Sequence, residues 1–201
     1  MGDDSGRAYG EGITAAPRTV RGTTGEPMNL RTPRLIVRPF VPEDLAEFRK
    51  LLEIPEVPGW QMQRANAEGF LGWHIANYAR MDVVHGVVCL GIFHEQTGRI
   101  LGAVGAGEHD DLHEPEVFFN LLPSERGHGY ATEAAGAVTR WALDRYPIEY
   151  LIGTAEVGNV PSQRVLERCG YELVDERELL VHIVNKRYRF RYYRHYAPPP
   201  R

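Results

Sequence analysis

Residues 121–135 read LLPSERGHGYATEAA. An apolar run ends at Leu122, a turn passes through Arg126, Gly127, His128 and Gly129, and the residues beyond it open a helix. A strand that feeds such a turn and helix leaves backbone N–H groups unpaired at the positive end of the helix dipole, which suits phosphate. Gly127 and Gly129 carry no side chain that would keep an anion off those amides. The expected ligand is a phosphate ester or a pyrophosphate.

Upstream, RLIVRPF alternates Leu35, Val37 and Pro39 with Arg34, Ile36 and Arg38 as a strand does. PEDLAEFRKLL then places Leu45, Phe48 and Leu52 at helical spacing behind Pro42. Residues 61–80 carry a weaker helical pattern with Phe70, Trp73 and Tyr78, after the break at EVPGW. VVCLGIF and ILGAVGAG read as antiparallel strands joined at Thr97-Gly98, and EVFFNLL follows as a third. A helix from about Gly127 to Tyr146 stops at Pro147. EYLIGTAEV restores strand character, NVPSQRVLERCGY is a short helix closed by Gly170, and two strands finish the pattern. This order predicts one α/β domain over 30–196, with a mixed, mostly antiparallel sheet and a parallel crossover around the long helix.

Composition narrows the function. A 201-residue chain with 43% hydrophobic and 25% charged residues is an ordinary globular one. Residues 1–29 and 197–201 lack hydrophobic periodicity and are expected as a flexible tail and a frayed end. The net charge of -4 offers no general field for nucleic acid. The basic cluster NKRYRFRYYRHY has a period of two, with Tyr188, Phe190 and Tyr192 on one face and Arg187, Arg189 and Arg191 on the other, so it is read as a strand rather than a base-stacking platform. Cys89 and Cys169 form no CxxC pair, and no apolar run is long enough to span a membrane, so a reducing cytoplasm is the expected setting. His109 and His113 stand among acids in EHDDLHEPE but fit no recognised ligand set; they are expected as solvated loop residues, with no metal. Cys169 is expected in the core.

Three phosphate loops compete for the opening stretch. A P-loop lacks its lysine and its spacing. The dinucleotide pattern GxGxxG fails at Thr132, and Glu149 precedes its strand instead of ending it. The third pattern, [QR]xxGx[GA], is met by Arg126, Gly129 and Ala131. Here the sequence resembles the GCN5-related N-acetyltransferase (GNAT) superfamily, whose acetyl-CoA loop RGHGYATEA is similar to. AEVGNVPSQRVLERCGY resembles the second signature of that family. LRTPRLIVRPFVPEDL resembles the opening of the branch that holds the ribosomal-protein N-terminal (Rim-type) acetyltransferases. The resemblance covers about residues 30–193.

The resemblance implies a central sheet whose middle strands splay, with the pantetheine of acetyl-CoA between them near Asn120, Leu121 and Leu122. It implies that the backbone of Gly127, His128, Gly129, Tyr130, Ala131 and Thr132 holds the pyrophosphate, with Arg126 beside it and Asn159 touching the cofactor arm. Acyl transfer would be direct, from the thioester to an amine. The family's usual tyrosine acid falls at Leu166, so Ser162 is the candidate to hydrogen-bond or protonate the sulfur. Glu116 and Glu156, on the parting strands, are the candidate general bases. The acceptor is expected to be a primary amine on a small molecule or a protein N-terminus, in a pocket formed by residues 56–80 and the last two strands. A catalytically inactive CoA-binding module is the alternative, a nucleotide oxidoreductase is a more distant one, and the oligomeric state, a homodimer included, is left open.

Overall fold

A computed structural model describes residues 28–198. Most of the expected tail and the last three residues of the expected frayed end lie outside the described residues. Eight strands form one sheet: β1 (Leu30–Arg31), β2 (Leu35–Pro39), β3 (Val87–His94), β4 (Ile100–Glu108), β5 (Pro115–Leu121), β6 (Tyr150–Glu156), β7 (Glu172–Val181) and β8 (Lys186–Tyr196). Their order across the sheet is β1-β2-β3-β4-β5-β6-β8-β7. Only β5 and β6 run parallel, and they share a single register pair, Glu116 with Ile152. The sheet therefore forks there, with the C-terminal ends of β5 and β6 on the open side.

Strand periodicity sorts side chains onto the two faces. On β3, Val88, Leu90 and Ile92 join one buried cluster while Cys89 and Phe93 join another. The first cluster lies under α4 (Tyr130–Arg145) and α5 (Val160–Arg168), the second under α1 (Leu45–Leu51) and α3 (Ala67–Arg80). Glu116, Phe118 and Asn120 alternate onto the α1 and α3 side of β5, and Val117, Phe119 and Leu121 onto the other.

The helical reading of 61–80 needs correction. That stretch holds the end of the short α2 (Pro58–Gln61), a 3-10 turn over Arg64–Asn66, and only then α3. The long helix starts at Tyr130 rather than Gly127, because Gly127 and Gly129 take φ of +82° and +79°, which a right-handed helix cannot accommodate. Gly98 (φ +67°) makes the β3–β4 turn and Gly170 (φ +84°) ends α5, both as expected. The pair Leu30–Arg31 adds a short strand that no periodicity announced. Met28, read with the tail, donates its amide to the Tyr78 hydroxyl at 2.8 Å.

The Arg-aromatic stretch is β8, an inner strand between β6 and β7. Being inner, it buries Tyr193 as well as Tyr192, and Arg189 and Arg191 pair with Glu176 of β7. No helix among the described residues is long and apolar enough to cross a membrane.

Candidate active site

Two adjacent helix N-termini are built differently. At α5, the Asn159 Oδ1 accepts from the Ser162 amide at 3.2 Å, so a side chain caps the helix. At α4, no side chain caps the helix, and its N-cap is the left-handed Gly129. The first intrahelical bond there is Glu133 N–H to Gly129 O at 3.1 Å. The amides of Tyr130, Ala131 and Thr132 thus have no carbonyl one turn back. They open, behind two left-handed glycines, beside the fork of the sheet.

The turn before α4 is fixed from below. Glu125, 5% exposed, meets Arg99 through two hydrogen bonds of 2.6 and 2.8 Å, and that contact holds its carboxyl below the usual carboxylate range. His128 stacks on Tyr130, with ring centroids 5.6 Å apart. The Arg126 side chain turns away from the amides. It meets both carboxylate oxygens of Glu56 at 3.0 and 2.8 Å and reaches Leu121 O at 3.3 Å. The guanidinium holds the Glu56 carboxyl down to about 2. A cavity of about 370 Å³ flanks the start of α4, with Arg31, Thr132, Gly136, Arg140, Arg168 and Cys169 in its wall. Cys169, expected in the core, is only half-buried, with its thiol directed at Thr132 O at 3.4 Å.

At the fork, the Leu122 amide donates to Leu101 O at 2.9 Å and is engaged with β4. Strand alternation then turns the backbone of Leu121 toward the gap, where its carbonyl meets Arg126. Asn120 pairs with Ala103 and presents its side chain to the α1 and α3 side. On β6, Thr154 stays paired with Tyr192 of β8 but has no strand partner on its β5 side. The Glu116 Oε1 takes that place, accepting from the Thr154 amide at 2.9 Å and hydroxyl at 2.6 Å. Burial pushes the Glu116 carboxyl up, opposed by the charge of His109 and the bonds from Thr154.

His109 is thus not a plain solvated loop residue. It is half-buried, its amide donates to Glu114 O at 2.9 Å, and its Nδ1 accepts from the amides of Asp111 and Leu112 at 3.1 and 3.3 Å. His113 pairs with Glu108 at 2.9 Å.

Ser162 is half-buried in the first turn of α5, and Glu156 is exposed at the end of β6. Leu166 is 1% exposed and packs over Gly153 so closely that a Cβ there would lie 2.4 Å from its Cδ2. Gln163 was not singled out by the sequence. Its buried amide donates to the carbonyls of Glu156 and Val157 at 3.0 and 2.9 Å and accepts from Arg191 at 2.8 Å, tying the start of α5 to the strand ends. Across the other face, the β7–β8 tip reaches α2: a Cβ built at Gly59 would sit 3.8 Å from Ile183 Cγ1.

The chain is similar in sequence and in fold to known acetyltransferases. The family model described as an acetyltransferase (GNAT) domain matches residues 34–172. The chain is 35% identical over 75 residues to the uncharacterized N-acetyltransferase YjdG of Bacillus subtilis (strain 168), a stretch that is 37% of this chain and 45% of that relative's length. Among solved structures, a GNAT-family acetyltransferase from Bacillus anthracis is 18% identical and superposes with a TM-score of 0.69 over 85% of this chain and 99% of its own. RimL, a ribosomal L7/L12 alpha-N-protein acetyltransferase solved with coenzyme A, is 13% identical with a TM-score of 0.67, over 84% of this chain and 98% of its own.

Proposed function

Because the chain belongs to the GNAT acetyltransferase family, we propose that it transfers an acetyl group from acetyl-CoA directly to a primary amine. The observation that carries this reading is the uncapped start of α4, with its left-handed glycines, standing at the fork between β5 and β6. A pyrophosphate needs unpaired amides, and a pantetheine arm needs a gap between strands. Both features occur side by side.

Acetyl-CoA supplies an activated acyl thioester. The backbone from Gly127 to Thr132 holds the pyrophosphate, and Arg31, Arg140 and Arg168 around the neighbouring cavity add positive charge. Arg126, now on Glu56, is close enough in the chain to exchange that carboxylate for phosphate. The backbone of Leu121 offers strand hydrogen bonds in the gap, between Asn120 and Leu122. Glu116 takes the proton that the attacking amine releases, because it faces the side where the amine docks and burial raises its basicity above that of an ordinary carboxylate. Glu156 is the second carboxylate on the parting strands. Ser162 donates a hydrogen bond to the departing sulfur, its position set by the Asn159 cap. Holding both reactants together supplies most of the acceleration, so no covalent enzyme intermediate is needed.

The amine docks on the α1–α3 side, where Glu116 faces and where α2 and the β7–β8 tip approach each other. The acceptor is a protein N-terminus, as in RimL, or a small amine. Incubation with acetyl-CoA and a panel of N-terminal peptides and small amines, with free thiol measured, tests this. Acceptor-dependent thiol release supports transfer; CoA binding without it supports a binding module instead.

A further inference from the structure

Glu133 is an awkward neighbour for a pyrophosphate. It lies in the first turn of α4, so its charge competes for the same dipole and amides that would hold the cofactor. The fold answers with three bonds from one edge of the sheet. The Thr32 hydroxyl donates to Glu133 Oε1 at 2.5 Å, the Arg34 amide donates to the same oxygen at 3.0 Å, and Arg34 Nε donates to Oε2 at 2.7 Å. A second guanidinium nitrogen lies 2.6 Å from Oε2. Burial alone would raise the Glu133 carboxyl, yet these partners hold it below its ordinary value.

Arg34 does more than neutralise. Its Nη1 donates to His128 O at 2.9 Å, its guanidinium lies 4.8 Å from the Tyr130 ring centroid, and its Nη2 would be 3.5 Å from a Cβ on Gly129. A trans peptide points its C=O and N–H in opposite directions. Holding the His128 carbonyl therefore aims the Gly129 N–H away from Arg34, toward the side left for the anion.

We infer that Arg34 is a positioning residue for acetyl-CoA: it cancels the Glu133 charge and fixes the His128–Gly129 peptide so that the loop amides face the pyrophosphate. This inference rests on the cofactor reading proposed above. It assigns Arg34 a role through the loop and not through contact with the reacting atoms.

The test is titration of CoA into the wild type and into Arg34→Ala, Arg34→Lys, Glu133→Gln and the Arg34→Ala/Glu133→Gln pair, with steady-state rates alongside. Arg34→Ala should raise the Kd for CoA and the KM for acetyl-CoA by about tenfold, the scale of one charge-assisted hydrogen bond, and lower kcat much less. Glu133→Gln placed in the Arg34→Ala background should recover part of the lost affinity, because it removes the uncompensated charge. Arg34→Lys should fall between wild type and Arg34→Ala, which keeps the test usable if the alanine variant folds poorly. A wild-type Kd in Arg34→Ala, or no recovery on adding Glu133→Gln, overturns the inference alone. Failure of the wild type itself to bind CoA overturns the cofactor reading and this inference with it.

Discussion

Glu116 Oε1 lies 2.9 Å from the Thr154 amide nitrogen and 2.6 Å from its hydroxyl, so a side chain completes the hydrogen bonding of β6 where β5 turns away. A buried amide left without a partner would cost about 1–3 kcal/mol. The same carboxylate closes the fork and faces the side where an amine would arrive.

Replacing it separates these two tasks. Gln at position 116 keeps an oxygen to accept from Thr154 but cannot take a proton. Glu116→Gln should leave thermal stability near that of wild type while kcat falls by roughly 10²–10⁴, the usual contribution of a general base. A base works only when deprotonated, and burial raises this carboxyl. Wild-type kcat/KM should therefore rise with pH through a limb above the ordinary carboxylate range, and that limb should vanish in Glu116→Gln. A pH–rate profile of both proteins checks it.

Ser162 and Asn159 divide differently. The cap uses the Ser162 amide, not its hydroxyl. Ser162→Ala should lower kcat with little change in melting temperature or CoA affinity. Asn159→Ala should cost about 1 kcal/mol in stability through the lost cap and lower kcat as well. Urea melts paired with initial rates distinguish the two.

Gly129 has room for a methyl group, since its nearest outside atom is the Arg34 nitrogen 3.5 Å from an ideal Cβ. Its φ of +79° is the obstacle. Gly129→Ala should cost roughly 1–2 kcal/mol in backbone strain and weaken CoA binding by tilting the amides. Gly127→Asn should be milder than Gly127→Val, because Asn tolerates the left-handed region better. CoA titrations and melts of the three variants report both effects.

His74 supplies a prediction about stability alone. It is 4% exposed, neither ring nitrogen has a partner, and the rings of Phe70 and Trp73 lie 4.5 and 4.9 Å away. Burial lowers its pKa to about 4 from 6.5. The unfolded chain then takes up the proton first, so this contribution is intact above about pH 6.5 and is lost as pH falls toward 4. The loss is on the order of 3 kcal/mol at the low end. His74→Phe should flatten the stability profile across that range, measured by denaturant melts at pH 7 and pH 5.

Much of this was legible in the residues. Gly127, Gly129 and Gly170 announce left-handed backbone, Asn159 announces a cap, and the period-two pattern of β8 announces a strand, because each is a local consequence of side-chain chemistry. The contacts that complete the site were not. Glu116 meets Thr154 38 residues away, and Arg34 meets Glu133 99 residues away, pairings that exist only once the sheet has ordered its strands. Arg126 reads naturally as an anion contact, yet its side chain is held by Glu56 across the fold. The split of 61–80 into α2, a turn and α3 was hidden because aromatic residues recur through it without a clean helical period.

The most direct measurement is the release of free thiol from acetyl-CoA by the purified full chain, with and without a panel of primary amines. Thiol release that depends on an amine, saturates with acetyl-CoA and collapses in Glu116→Gln is the predicted result. Release that ignores the amine, or no release from a protein that also fails to gain thermal stability with CoA, would contradict the proposed acetyl transfer.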